Sequence, residues 1–196
     1  MHVVFGAAGA LGAAIVQNLA QQNKAVRAVV RDVGKARKVL PSSAEIVVAD
    51  ASKPESIKPA FHNVSVIYHC VNVLYDKWTE VMPLVTDNIL AGAIERQASV
   101  VFPGNVYVYG RFQRIPATED HPLGATGKKG KLRIALVLRN QSSYIQSALN
   151  TRNSEFVLTI YILELDSHVV CSKNRGTSAH LKARSGYGVK IFTCQF

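Results

Sequence analysis

Apolar residues in the first half of the chain gather in short runs at 2–5, 25–30, 45–49, 65–70 and 99–102. Runs of that length suit strands buried on both faces. Between them the spacing becomes helical. Residues 10–22 carry an alanine-rich helical period, and 33–40 form a short basic helix stopped by Pro41. Residues 52–61 open with Ser52 as an N-cap and Pro54 in the first turn, and a longer helix is expected between Thr79 and Gln97. Strand and helix in alternation make βαβ units, whose right-handed crossovers wind a mostly parallel sheet with helices on both faces.

The expected fold class is therefore α/β, a doubly wound Rossmann sheet with its ligand crevice at the carboxyl ends of the strands. The first such end reads Gly6-Ala7-Ala8-Gly9-Ala10-Leu11-Gly12. A turn that tight needs Gly6, the absence of a side chain at Gly9 lets backbone approach a pyrophosphate, and Gly12 permits close helix–strand packing. The helix that follows offers free N–H groups and a positive dipole end to phosphate. The next three ends deliver Arg31-Asp32, Asp50-Ala51 and Cys70-Val71-Asn72 to the same crevice. Candidate cofactor contacts are Gly6, Ala8, Gly9, Ala10, Leu11, Gly12, Arg31, Lys35, Asp50, Ala51, Val71 and Asn72.

The end of the second strand bears on which dinucleotide binds. An NAD site places a carboxylate there, about 20 residues past the glycines, to hold the ribose 2′-hydroxyl. Here Arg31 stands in that place, and its planar guanidinium suits a 2′-phosphate, with Lys35 one turn later. The expected cofactor is NADP, with NAD as the alternative. Two other readings stay open: Arg31 and Lys35 as plain surface cations, or Asp32 as the ribose acceptor after a one-residue shift. Asp50 either accepts from the adenine amino group or caps the following helix.

Composition narrows the setting. At 196 residues, 48% hydrophobic, the chain has material for one ordinary core. The formal charge of +10 is scattered, dense only at 27–38 and 128–133, so a dinucleotide phosphate is a likelier reading of it than nucleic acid. Cys70, Cys171 and Cys194 are odd in number and lack metal-ligand spacing, so no disulfide framework or metal site is expected, which favours a reducing cytoplasm. No signal-like or bilayer-spanning stretch is evident. The expected associations are a small-molecule substrate and a second copy of the chain.

Several short motifs recur in one superfamily. They are Gly6-x-x-Gly9-x-x-Gly12, Val26-Arg27-Ala28-Val29-Val30-Arg31, Val47-Val48-Ala49-Asp50 with Pro54-Glu55-Ser56, Ile67-Tyr68-His69-Cys70, Asn88-Ile89-Leu90 and Val108-Tyr109-Gly110. Ala117-Thr118-Glu119-Asp120-His121-Pro122 extends the series. Over about residues 1–133 the chain resembles the short-chain dehydrogenase/reductase superfamily in its extended and atypical branches, the NAD-dependent epimerase/dehydratases. The resemblance implies hydride transfer with a Tyr four residues before a Lys as the proton donor, and a Ser or Thr orienting the substrate oxygen. Lys131 aligns with that lysine. Gly127 falls in the tyrosine's place, Asn105 in the serine's, and Met82 near the assisting asparagine's.

Candidate catalytic residues are accordingly Asn105, Tyr109 and Lys131, with Tyr107 as another source of a phenol; both tyrosines otherwise pack over the sheet edge. Tyr75 and Trp78 are placed to wall the nicotinamide side. The implied function is NAD(P)-dependent epimerase, dehydratase or reductase chemistry on a small carbonyl or nucleotide-sugar-like substrate. The alternatives are a non-enzymatic NADP-binding sensor like the nitrogen-metabolite-repression regulators, or an inactive truncated relative.

After about residue 136 the family pattern stops. The chain divides into a Rossmann domain, 1–135, and an atypical tail, 136–196, which leaves it truncated beside extended relatives. Either 132–139 is an early sixth strand and 155–163 adds another, or a change of reading frame or splicing near 135–138 attaches non-family sequence.

Overall fold

Five strands, β1 (His2–Phe5), β2 (Val26–Val30), β3 (Glu45–Val48), β4 (Val66–His69) and β5 (Ser99–Asn105), pair in parallel in the order β3-β2-β1-β4-β5. The computed structural model describes residues 1–113 and 121–150, with side chains to 142, and the backbone of four later strands. Of these, β6 (Leu158–Ile162) continues the sheet parallel to β5, β7 (Val170–Cys171) pairs antiparallel with β6, and β8 (Leu181–Gly186) pairs antiparallel with β9 (Val189–Cys194).

Period-two alternation in the strands feeds two cores. Val3 and Phe5 of β1 and Val29 of β2 face one side, where Val85, Ile89 and Ala93 of α4 (Trp78–Glu95) meet Ile57 and Phe61. Val4, Ala28 and Val30 face the other, against Val16 and Leu19 of α1 (Ala10–Gln21) and Ala36 of α2 (Val33–Val39). The doubly wound Rossmann expectation holds. A third cluster, Trp78, Met82, Phe102, Val108, Tyr109, Leu136 and Val137, closes the β5 end under α5 (Lys128–Asn150).

Several local expectations are corrected. Ser52 does not cap a helix: its N–H and hydroxyl both donate to Asp50 Oδ1, at 3.0 and 2.8 Å, so the helix starts a residue later behind Lys53 with Pro54 in its first turn. That helix, α3 (Pro54–Ile57), gives way to a 3₁₀ turn over Lys58–Phe61, since Pro59 has no N–H to continue the ladder. Strand β5 runs on to Asn105 because β6 pairs with it through Asn105↔Ile162.

Of the two readings of the stretch after 132, the early sixth strand at 132–139 is not met: the stretch is helix. Among its described residues Gly130, Arg133, Leu136, Val137 and Asn140 are buried, steps of three and four that a strand cannot put on one face. The helix is continuous through 135/136, and Arg139 pairs with Asp87 of α4 at 2.8 Å. A strand at 155–163 is present as β6; the origin of the tail lies outside the described residues.

Arg27, within the basic stretch 27–38, does not face solvent. It is 5% exposed in β2, bonded to Glu45 at 2.9 Å, and it donates to the carbonyls of Ala60 and His62 at 2.9 and 2.7 Å. The chain running back from α3 into β4 is thereby tied to the sheet. Arg27→Ala leaves both carbonyls without their donor and should lower stability by about 3 kcal/mol, read as a lower urea midpoint at unchanged slope.

Candidate functional site

Backbone geometry sets the loop after β1. Gly6 has φ +74°, and a Cβ there would lie 2.6 Å from the Cys70 carbonyl oxygen and 2.8 Å from the Val71 nitrogen. At Gly12 a Cβ would lie 2.4 Å from the Gly6 oxygen and 2.8 Å from the Ala7 Cα. Both positions therefore exclude side chains by contact with backbone, which cannot swing away. Gly9 is the N-cap of α1 and supplies no side-chain cap. The N–H groups of Ala10, Leu11 and Gly12 thus stand at a helix start without intrahelical acceptors, flanked by half-buried Ala8. This cradle fits a pyrophosphate.

The neighbouring strand ends arrive as expected. Arg31 is exposed just past β2, whereas Asp32 accepts from the Lys35 N–H at 3.0 Å and caps α2. That capping bond uses one oxygen of the only carboxylate at this strand end and leaves Arg31 as the side chain projecting beyond the sheet. Lys35 is exposed one turn on. Asp50, past β3, is held below the usual carboxylate range by hydrogen bonds from the Ser52 N–H and hydroxyl, then by the charges of Arg31 and Lys53. Sequence reasoning missed Lys53, which had no motif to mark it. Ala51 is buried, and its carbonyl accepts from Asn88 of α4 at 3.0 Å. Val71 packs on the core, and exposed Asn72 accepts from the Val73 N–H.

The candidate catalytic residues occupy three environments. Asn105 ends β5, and its Oδ1 accepts from the Tyr107 N–H at 3.2 Å. That bond orients the amide with its NH₂ as the free end. Tyr109 is 3% exposed, packed edge-on to His121 with ring centres 5.1 Å apart. Tyr107, 45% exposed, is the phenol of this stretch that reaches solvent, and Lys131 is exposed on the first turns of α5. A Cβ at Gly127 meets nothing within 4 Å. Of the motif at 117–122, residues 117–120 lie outside the described residues. His121 is buried, accepting from the Gln113 N–H and donating to the Pro122 carbonyl, each at 3.0 Å.

Past β4, Tyr75 and Trp78 form the expected aromatic wall, ring centres 5.0 Å apart, with Tyr107 6.0 Å from Trp78. Lys129 lies over Tyr75 at 4.7 Å, and the Arg133 guanidinium lies over Trp78 at 4.2 Å. His69, at the end of β4, is fully enclosed, with Nε2 3.0 Å from the Thr86 hydroxyl. Burial first, and then the Arg133 charge, push its pKa down to about 3, so it is neutral. Arg133 escaped the sequence reading. The available signal was a cation on the apolar stripe of α5, visible only once 128–140 is read as helix.

Among the described residues, no cluster of three or more His, Cys, Asp or Glu is placed to hold a metal, and no helix is long and apolar enough to cross a membrane.

Strand order and glycine loop define a Rossmann-type fold. Residues 2–100 match the NmrA-like family model, and the chain belongs to that family. Its fold is similar to that of a UDP-galactose 4-epimerase, at TM-score 0.64 and 23% identity, covering 76% of this chain and 52% of that one. The UDP-glucose 4-epimerase of Thermus thermophilus, in complex with NAD, matches at TM-score 0.64 and 21% identity, covering 75% and 51%. A short-chain dehydrogenase/reductase superfamily protein from Agrobacterium tumefaciens with bound NAD matches at 0.59 and 23%, covering 82% and 48%. The chain thus spans about half the length of these structures. No curated protein matches it.

Proposed function

We propose that the chain binds a nicotinamide dinucleotide, NADP(H) ahead of NAD(H), and sets a small carbonyl or nucleotide-sugar-like substrate against it. The observation that carries this reading is the side-chain-free cradle of Gly6, Gly9 and Gly12 at the uncapped start of α1. Ala10, Leu11 and Gly12 would hold the pyrophosphate through their N–H groups. Arg31, with Lys35, would take a 2′-phosphate; Asp50 and Ala51 would border the adenine, and Val71 and Asn72 the ribose on the nicotinamide side.

The nicotinamide, when bound, supplies or accepts a hydride. This chain's part is to orient and protonate. The Asn105 amide, fixed by its capping bond, would polarise a carbonyl oxygen through its NH₂ end. Tyr107, the exposed phenol, fits proton delivery better than buried Tyr109, with the Lys131 ammonium as its candidate cationic partner.

Titration of the full chain with NADPH and NADH by cofactor fluorescence tests the binding step. NADPH should bind more tightly, and Arg31→Ala should weaken NADPH by about 10- to 100-fold with little change for NADH, the loss of one charged hydrogen-bonding partner. Equal affinities before substitution would defeat the role of Arg31. A second reading, a dinucleotide sensor without turnover, is favoured by Gly127 in the place of the phenol and by the enclosure of Tyr109. Cofactor binding with no oxidation across aldehydes, ketones and nucleotide sugars would select it.

A further inference from the structure

Arg133 is 7% exposed, and its Nε is fully buried with no hydrogen-bond partner. No carboxylate among the described residues pairs with it. The groups around it are neutral or cationic: Trp78 beneath the guanidinium, Tyr107, uncharged His69 and Lys129 on the same aromatic wall. Burial pulls the Arg133 pKa below its ordinary value. A buried charge without a counter-charge is costly, and chains keep one where something else neutralises it. Among the described residues nothing supplies that charge, and a bound anion would.

Its place indicates which molecule. Arg133 sits on the third cluster, above residues that follow β4 and β5, across the sheet order from the β1 and β2 ends where the dinucleotide phosphates would lie. The cofactor's own phosphates are thereby set apart from it. Tyr75 and Tyr107, 55% and 45% exposed, form the solvent edge of the cluster.

We propose that Arg133 receives the carboxylate of the substrate, so that the preferred substrates are small carbonyl compounds bearing an acid group, held with an apolar or aromatic portion against Trp78. This rests on the proposed placement of substrate at the ends of β4 and β5. A guanidinium presents coplanar donors that match the two oxygens of a carboxylate. A monoanion also balances the single buried charge of Arg133.

Trp78 is the sole tryptophan of the chain, so its emission reports directly on the site. The full chain is titrated with phenylacetate, phenylacetamide and phenyl phosphate, while a parallel NADPH titration is followed by cofactor emission. Phenylacetate should give a saturable change, with the amide at least about tenfold weaker, since it lacks the charge that Arg133 needs. Phenyl phosphate should bind more weakly than phenylacetate. Arg133→Met should erase the preference for acid over amide.

Equal responses to phenylacetate and phenylacetamide overturn the proposal, as does tighter binding of phenyl phosphate, which would reassign the site to phosphate esters. Should Arg133→Met fail to fold, the acid–amide comparison on the unaltered chain still decides. NADPH binding with no response to the acid defeats this inference alone. A response to the acid without NADPH binding defeats the cofactor reading and upholds the anion site.

Discussion

Valine in place of Gly12 is expected to abolish measurable dinucleotide binding and to lower stability by about 1–3 kcal/mol. A Cβ at that position meets the Gly6 oxygen at 2.4 Å and the Ala7 Cα at 2.8 Å, and both are main-chain atoms. Relief requires α1 to move off the loop, which pulls the N–H groups of Ala10, Leu11 and Gly12 out of register with a bound phosphate. Gly9 gives the control. A Cβ there touches only the Gly6 oxygen, at 3.3 Å, so Gly9→Val should melt close to the unaltered chain yet lose NADPH affinity by about 100-fold, its side chain standing where the phosphate approaches. Thermal melts with NADPH titrations separate the two. Unchanged binding in Gly9→Val would remove the phosphate from this loop.

A gain of turnover is the second large effect expected. Gly127 falls four residues before Lys131, and a Cβ there meets nothing within 4 Å. Its φ lies outside the left-handed region, so a side chain adds no backbone strain. Gly127→Tyr should therefore fold within about 0.5 kcal/mol of the parent. It would place a phenol one helical turn from an exposed ammonium, the arrangement that lowers a phenol's pKa towards neutrality. NADPH-dependent reduction of a reactive aldehyde should rise by about 100-fold, the usual scale of general acid catalysis, and Lys131→Met added to it should cancel most of the gain. If cofactor binds and no gain appears, the missing phenol is not what limits the chemistry, and the sensor reading is strengthened.

The β1–loop–α1 unit was readable from sequence because its demands are local. Positive φ and contact between backbones leave glycine as the only solution, and glycine is visible in a sequence. The end of β2 was read only in part: Asp32 was left open as a ribose acceptor, whereas it caps α2. The role of Arg27 was not legible because its partners, Glu45, Ala60 and His62, come from segments 18 to 35 residues away. The strand reading of 132–139 failed because a run rich in Leu, Ile and Val serves a strand as well as a helix; Arg133 and Asn140, polar residues on the buried stripe, masked the helical period. Tyr107 and Tyr109 could not be ranked in advance. They are two residues apart, and which ring is enclosed depends on the 3₁₀ turn over Val106–Val108 and on the docking of His121.

The continuity of α5 bears on how the chain can be divided. Leu136 and Val137 are 1% and 0% exposed, and they cover Trp78, Met82 and Phe102. A fragment ending at residue 135 would keep the whole glycine loop and strands β1 to β5 yet leave that aromatic end uncovered and prone to self-association. The smallest piece able to stand alone in solution therefore extends at least through Asn140, past the point where family resemblance ends.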